Sequence, residues 1–157
     1  MRAHQNLGFG LLLPLIAACA SAGMPDGAMR IGLGNARSGE LSRVGTSVLR
    51  HHQFEIFRTD GPTAFYYETH WKSRTPFEDE RSQGVEAAET KIILQGSERP
   101  AAGMGRVIAV ELIARNRVRL RDGAEWTTIP PTPAYSAFID TIAADLKREL
   151  QTGIRVY

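Results

Sequence analysis

An arginine occupies every second position of one short segment, where the chain is best suited to hold an anion. The four residues are Arg115, Arg117, Arg119 and Arg121. Alternate residues of a β-strand lie on the same side of a sheet, so the spacing predicts a row of guanidinium groups. Such a row can pair with phosphates of anionic lipid or lipopolysaccharide, or with an acidic protein. Alternatively, the row is a solvated strand face paired with neighbouring glutamates, of which Glu86, Glu89 and Glu111 are candidates.

Three aromatic residues are candidate contacts for a protein partner. Residues 64–71 are predicted as a strand, in which Tyr66 and Trp71 lie on opposite faces. Phe77 follows in a polar stretch interrupted by Pro76. Large aromatic side chains anchor many interfaces. The commoner alternative is that they complete the core or cover a sheet edge.

The remaining polar clusters give weak signals for catalysis or metal binding. His51, His52, His70 and Glu68 have none of the usual zinc-ligand spacings, and a polar helix end with a surface strand residue explains them. The run of carboxylates at residues 78–80 lacks the pattern of a calcium loop and is interpreted as a solvated loop. We therefore predict no catalytic residue, no metal and no cofactor.

Composition narrows the classes of partner. The chain has 19 basic and 17 acidic side chains, and this near balance argues against a nucleic-acid binder. It contains one cysteine, Cys19, which rules out an internal disulfide. The fold must therefore be held by its apolar core.

The N-terminus has the layout of a secretory signal. Arg2 precedes an apolar stretch at residues 7–16, and small residues follow. The stretch is only about half as long as a bilayer-spanning helix requires. A leader that is cleaved after export is therefore favoured over a membrane span.

The end of this stretch, Ile16-Ala17-Ala18-Cys19, resembles the lipobox of bacterial lipoproteins. The resemblance implies that residues 1–18 are a signal peptide and that Cys19 carries diacylglycerol and further acyl chains such as palmitate. Ala20 is not an inner-membrane retention signal, which implies the periplasmic side of the outer membrane in a Gram-negative cell. Ordinary cleavage after Ala20 stays open as the alternative. Residues 19–37 are glycine-rich and predict a lipidated cysteine followed by a flexible tether.

The rest of the chain, residues 38–157, predicts a single domain. Apolar spacing indicates a first helix at 38–52, and alternation then indicates strands. The strands are predicted at 54–58, 64–71, 85–94 and 106–114. The chain then continues through Arg121 to an Asp122-Gly123 turn, and a short edge strand is predicted at 126–129. Residues 73–84 and 97–105 are predicted as loops.

A long second helix is the clearest element. Thr132 is its predicted N-cap, Pro133 its first residue and Gly153 its end. One apolar stripe runs along it, formed by Tyr135, Phe138, Ile139, Ile142, Leu146 and Leu150. The element order predicts an α+β, two-layer sandwich: an antiparallel sheet of four to five strands with an N-terminal and a C-terminal helix on one face.

This element order loosely resembles small outer-membrane biogenesis lipoproteins that assist the β-barrel assembly or lipopolysaccharide insertion machines. The resemblance implies a membrane-anchored, non-catalytic interaction or assembly subunit with an envelope protein partner. An alternative is a carrier that holds a lipid or another amphiphile between helices and sheet, and a secreted hydrolase or metal enzyme is a third hypothesis.

Overall fold

A computed structural model describes residues 27–60, 65–101 and 105–153, so the predicted signal peptide and Cys19 lie outside the described residues. The helices are α1 (Ser38–His51), α2 (Glu78–Arg81) and α3 (Pro133–Gly153). The strands are β1 (Ala28–Ala36), β2 (Ile56–Asp60), β3 (Tyr66–Thr69), β4 (Lys72–Arg74), β5 (Val85–Ala101) and β6 (Gly105–Leu120).

The strands form one antiparallel sheet. Its order is β1-β6-β5-β3-β2, and β4 pairs with β5 farther along the same side. The long β5–β6 hairpin is the centre of the sheet, and α1 and α3 contribute to one apolar core with it. The predicted α+β sandwich with both long helices on one face is confirmed, and the described residues contribute six strands to its sheet instead of four or five.

The core lies between the two helices and one side of the hairpin. Alternate residues of the central strands, such as Ile92, Leu94 and Leu112, are fully buried there. The stripe of α3 packs against them, with Phe138 only half-buried. The N-cap prediction for α3 is confirmed, because the Thr132 hydroxyl accepts a hydrogen bond from the Tyr135 N–H at 3.3 Å.

The tether prediction for residues 19–37 is wrong from residue 28 onward. Residues 28–36 are the edge strand β1, paired with β6 from Ala28↔Arg115 to Ala36↔Ile108. Backbone hydrogen bonds make this ladder, so glycines do not prevent it, and Gly34 (φ +97°) lies where the register shifts. Leu33 and Ala36 are buried in the core and hold the strand in place.

The predicted loops also contain regular structure. Residues 97–101 extend β5 and pair with β6 from residue 105, because the hairpin supplies backbone partners for polar residues too. The polar stretch 73–84 contains part of β4 and all of α2. The predicted edge strand at 126–129 is reduced to a single bridge between Val118 and Thr127.

Candidate functional site

The sheet has one side that no described helix covers, and we call it the open face. It consists of the alternate residues of β5 and β6 that do not point into the core, with neighbours from β1 to β4. Cross-strand pairs on it are Glu89↔Arg117, Lys91↔Arg115, Ile93↔Ile113, Gln95↔Glu111 and Ala87↔Arg119. The predicted arginine row therefore lies on the open face as far as Arg119, and Arg121 follows the end of β6.

Two tryptophans and three cations form a continuous stack, which we call the Trp–Arg ladder. The Arg117 guanidinium lies 4.2 Å from the centre of the Trp71 ring and 5.0 Å from that of Trp126. Lys91 Nζ lies 5.0 Å from the Trp71 ring centre, and the Arg119 guanidinium 5.7 Å from that of Trp126. Each cation is attracted by the electron-rich face of a ring, so the ladder holds long side chains in defined positions.

Glutamates neutralise only part of the arginine row. Glu89 accepts from Arg117 at 2.7 Å and also from the Ser73 hydroxyl at 3.1 Å. Glu111 pairs instead with Arg30 of β1, at 3.0 Å. Within the described ranges, no ion pair is formed by Arg115, Arg119 or Arg121. The alternative hypothesis, that the arginines pair with neighbouring glutamates, thus holds for Arg117. The guanidinium groups of the other three arginines of the row remain available to an external anion.

An apolar patch lies beside the ladder. Ile93 and Ile113 are only 5% exposed although no described helix lies over them, and they contact Ala28 and Tyr66. Glu68 borders the patch, accepting from the Tyr66 hydroxyl at 2.8 Å and from Lys91 Nζ at 2.6 Å. The hydrogen bond from Lys91 lowers the pKa of Glu68, while burial and the bond to Glu68 raise the pKa of Tyr66.

Two of the three predicted aromatic contacts lie on the open face. Trp71 shares it with Tyr66, although strand alternation predicted opposite faces. The alternation is lost because β3 ends at Thr69 and β4 starts at Lys72. Phe77 lies on the helix side, where its ring is 5.8 Å from that of Phe138, so it completes the core instead.

The run of carboxylates at residues 78–80 is not the solvated loop that we predicted. Only Glu78 is strongly exposed, and it pairs with Arg81. Asp79 accepts a hydrogen bond from the Ala134 N–H at 2.9 Å, which caps the start of α3 and lowers the pKa of Asp79. Glu80 is fully buried. Three neighbouring acids thus have three environments, because one helical turn points them in three directions.

Glu80 forms a buried ion pair with Arg74. The two Arg74 Nη atoms donate to its carboxylate at 2.6 and 2.5 Å, and the Phe77 N–H donates at 2.9 Å. Arg74 also donates to Asn116 Oδ1 at 3.0 Å. Burial alone would raise the pKa of Glu80, but the Arg74 and Phe77 hydrogen bonds outweigh it and the pKa is lowered. Because the cluster is buried and its charges are paired, we assign it a structural role and call it the buried lock.

The three histidines among the described residues do not converge on one site. His52 Nε2 lies 2.9 Å from Asp145 Oδ2 and joins the end of α1 to α3. His70 is exposed and its ring packs against that of Phe57 in a tilted arrangement, with ring centres 4.8 Å apart, while Glu68 is engaged by Tyr66 and Lys91. In the described part of the chain, no group of three histidine, cysteine or acidic side chains is arranged to hold a metal ion.

Two surface concavities accompany these features. A shallow polar cleft of about 750 Å³ lies beside the ladder, and its lining includes Glu86, Ala87 and Glu89 of β5, Arg119 of β6, Trp126 beyond the end of β6 and the 73–76 segment. An apolar groove of about 220 Å³ lies between β1 and the end of α3, lined by residues that include Leu33 and Leu150. Within the same described ranges, no helix has the length and apolar character to span a bilayer.

Sequence reasoning missed Trp126 and Lys91. Trp126 comes three residues after the Asp122-Gly123 turn, where the chain reverses, and its ring therefore lies beside Arg117 and Arg119 of the row. The Val118–Thr127 bridge fixes that return. Comparison with known proteins found no family model that matches the chain and no similar curated protein.

Proposed function

We propose that this protein is an envelope lipoprotein, anchored to the membrane through Cys19, that acts as a non-catalytic interaction or assembly subunit. The observation that carries the proposal is the open face. It combines an exposed tryptophan with arginines that form no ion pair among the described residues, and no described helix covers it. Tryptophan, tyrosine and arginine are the residues most enriched at the centres of protein interfaces.

Anchoring rests on the sequence at residues 16–19. Lipidation gives the single cysteine of an exported chain a use, and several acyl chains bind a membrane almost irreversibly. The outer membrane, on its periplasmic side, is the expected location in a Gram-negative cell. The anchoring test is fractionation of cells that express the full chain with Cys19→Ala. We expect the variant to move from the membrane to the soluble fraction, and unchanged membrane association would refute lipid anchoring.

The binding role is tested by cross-linking in the native membrane. A photoreactive amino acid replaces Arg119 on the open face or, as a matched control, the exposed Arg43 on α1. Both positions carry an arginine without an ion pair among the described residues, so the two variants lose the same charge. We expect discrete protein adducts from position 119 only. Absence of adducts there, or the same adducts from position 43, would refute an interaction role for the open face.

A second candidate function, an amphiphile carrier, is favoured by the apolar groove between β1 and α3. Its volume of about 220 Å³ is below the range of about 300–1,000 Å³ typical of small-molecule pockets. Leu33 and Leu150 in its lining could receive one acyl chain or a small apolar group. Native mass spectrometry of the intact protein would detect a bound lipid. A mass that equals the acylated chain alone would remove this candidate.

A further inference from the structure

The charges of the open face favour one class of partner. Arg115, Arg119 and Arg121 have no carboxylate partner in the described part of the chain, whereas Arg30, Arg58, Lys91 and Arg117 are paired. Arg115 lies between the apolar patch and the Trp–Arg ladder, opposite Lys91. Lys91 is already paired with Glu68, so of these two cations Arg115 is the one available to a bound anion.

The spacing of the free guanidinium groups suits a polypeptide. Arg115 and Arg119 are four residues apart on β6, which places their Cα atoms about 13 Å apart along the strand. Carboxylates four residues apart in an extended segment have the same separation. Trp126 is exposed and its ring lies against the Arg119 guanidinium, so it can contact a side chain of such a segment next to this arginine.

An anionic membrane surface fits the same face less well. Glu68, Glu89 and Glu111 lie among its cations, and a broad layer of phosphates would approach these carboxylates as closely as the arginines. A separate acidic segment can place its charges at individual arginines and avoid the glutamates. Recognition by discrete charges, with unfavourable contacts for the wrong partner, is how electrostatic complementarity gives specificity.

We infer that the open face binds an acidic polypeptide segment, whose carboxylates pair with Arg115 and Arg119 while the exposed Trp126 contacts its other side chains. This rests on the proposed function and names the partner class for the same surface. The Trp–Arg ladder orders Arg117 and Arg119 before binding, which reduces the entropy lost when the segment docks.

Fluorescence anisotropy of the full-length protein in a neutral detergent tests the inference. The probe is a labelled peptide of alternating glutamate and threonine, about 12 residues long, which spans the arginine pair when extended. Peptides with glutamine or lysine in place of glutamate are the comparisons. We expect the glutamate peptide alone to bind, with affinity that falls several-fold as NaCl is raised from about 50 to about 200 mM.

The deciding variant is Arg115→Gln with Arg119→Gln. Its matched control is Arg43→Gln with Arg50→Gln, which removes the same charge from exposed positions on α1. We expect about a tenfold loss of affinity for the open-face variant and less than about a twofold loss for the control. Equal losses would show attraction to net charge only and would overturn the inference. Circular dichroism of both variants excludes unfolding as the cause.

Vesicles of neutral lipid with and without anionic phospholipid complete the experiment. Stronger binding to anionic vesicles than to the glutamate peptide, lost in the Arg115/Arg119 variant, would assign the surface to lipid headgroups and overturn the inference. If cross-links from position 119 persist while the glutamate peptide fails to bind, the acidic-partner inference fails and the proposed function stands. If both are absent, the proposed function fails as well.

Discussion

Replacing Glu80 with glutamine should destabilise the protein more than any surface substitution nearby. The change keeps the size of the side chain, removes its charge and presents an NH₂ group to donors. Glu80 accepts from two Arg74 Nη atoms, from the Phe77 N–H and from Asn116 Nδ2 at 3.3 Å. A glutamine oxygen cannot satisfy all four, and the Arg74 guanidinium is left with a buried positive charge.

The magnitude follows from how completely the pair is buried. The side chain of Glu80 is 0% exposed and that of Arg74 is 10% exposed, so water cannot replace the lost partner. Removing one member of a buried pair costs about 3–5 kcal/mol of unfolding free energy. Part of the Arg74 charge stays stabilised by the rings of Phe77 and Tyr135, whose centres are 4.5 and 5.1 Å away, which favours the lower end of that range.

Urea unfolding followed by circular dichroism is the assay. For an m-value of about 1.5–2 kcal/mol/M, the expected loss lowers the midpoint by roughly 2 M. Glu78→Gln is the control, because Glu78 forms only an exposed pair with Arg81 and should cost less than about 1 kcal/mol. A loss under about 1 kcal/mol for Glu80→Gln, or losses that are equal in both variants, would refute the buried lock.

A double substitution separates lost packing from lost charge. Arg74→Met with Glu80→Leu removes both charges and leaves apolar groups of similar length. The double variant should be more stable than Glu80→Gln alone, because no unpaired charge remains buried. If it is equally unstable, packing accounts for the effect and the charge argument is wrong.

Three further outcomes are expected. The pKa of Glu80 is lower in the folded state than in the unfolded state. Ionised Glu80 therefore stabilises the fold above the unfolded pKa of about 4.3, and this stabilisation is lost as pH falls through the folded pKa. The stability gap between the parent and Glu80→Gln should therefore narrow between about pH 6 and pH 3, and a constant gap would contradict this. Asp79→Ala should lower the urea midpoint because it removes the hydrogen bond from the Ala134 N–H at the start of α3. The decrease should be smaller than for Glu80→Gln, and an unchanged midpoint would show that this cap does not stabilise the fold. Gly96→Ala should lower the unfolding free energy by about 1–3 kcal/mol in the same assay, because a Cβ at this position would lie 2.4 Å from Ile108 Cγ2. Gly32→Ala is the control, since a Cβ there has nothing within 4 Å. Equal losses in the two variants would refute the packing argument.

Local pattern was sufficient for the long helices and for the fold class. The stripe of α3, from Tyr135 to Leu150, repeats with the helical period and needs no knowledge of the rest of the chain. The alternation around Ile92 and Leu112 similarly identifies strands with one buried side. These signals are local because the period of the backbone sets which side chains share a face.

Local pattern failed where pairing between distant residues decides the structure. The glycines of residues 28–36 resemble a tether, yet β6 offers a ladder of backbone partners that the sequence does not display. The polar residues 97–101 likewise belong to β5, because β6 supplies backbone hydrogen-bond partners for them. A β-strand is stabilised mostly by its neighbours, so its limits depend on contacts made far along the chain.

The sequence by itself determined the arginine row, the lipobox-like segment and the two-layer arrangement, because each depends on residue type and spacing alone. Only the tertiary structure decided which charges are available. It paired Arg117 with Glu89, left Arg115 and Arg119 without carboxylate partners among the described residues, and brought Trp126 back to the row. It also separated Glu78 from Glu80, one solvated and one buried. Electrostatic energy depends on distance and burial in space, and neither can be obtained from positions along the chain.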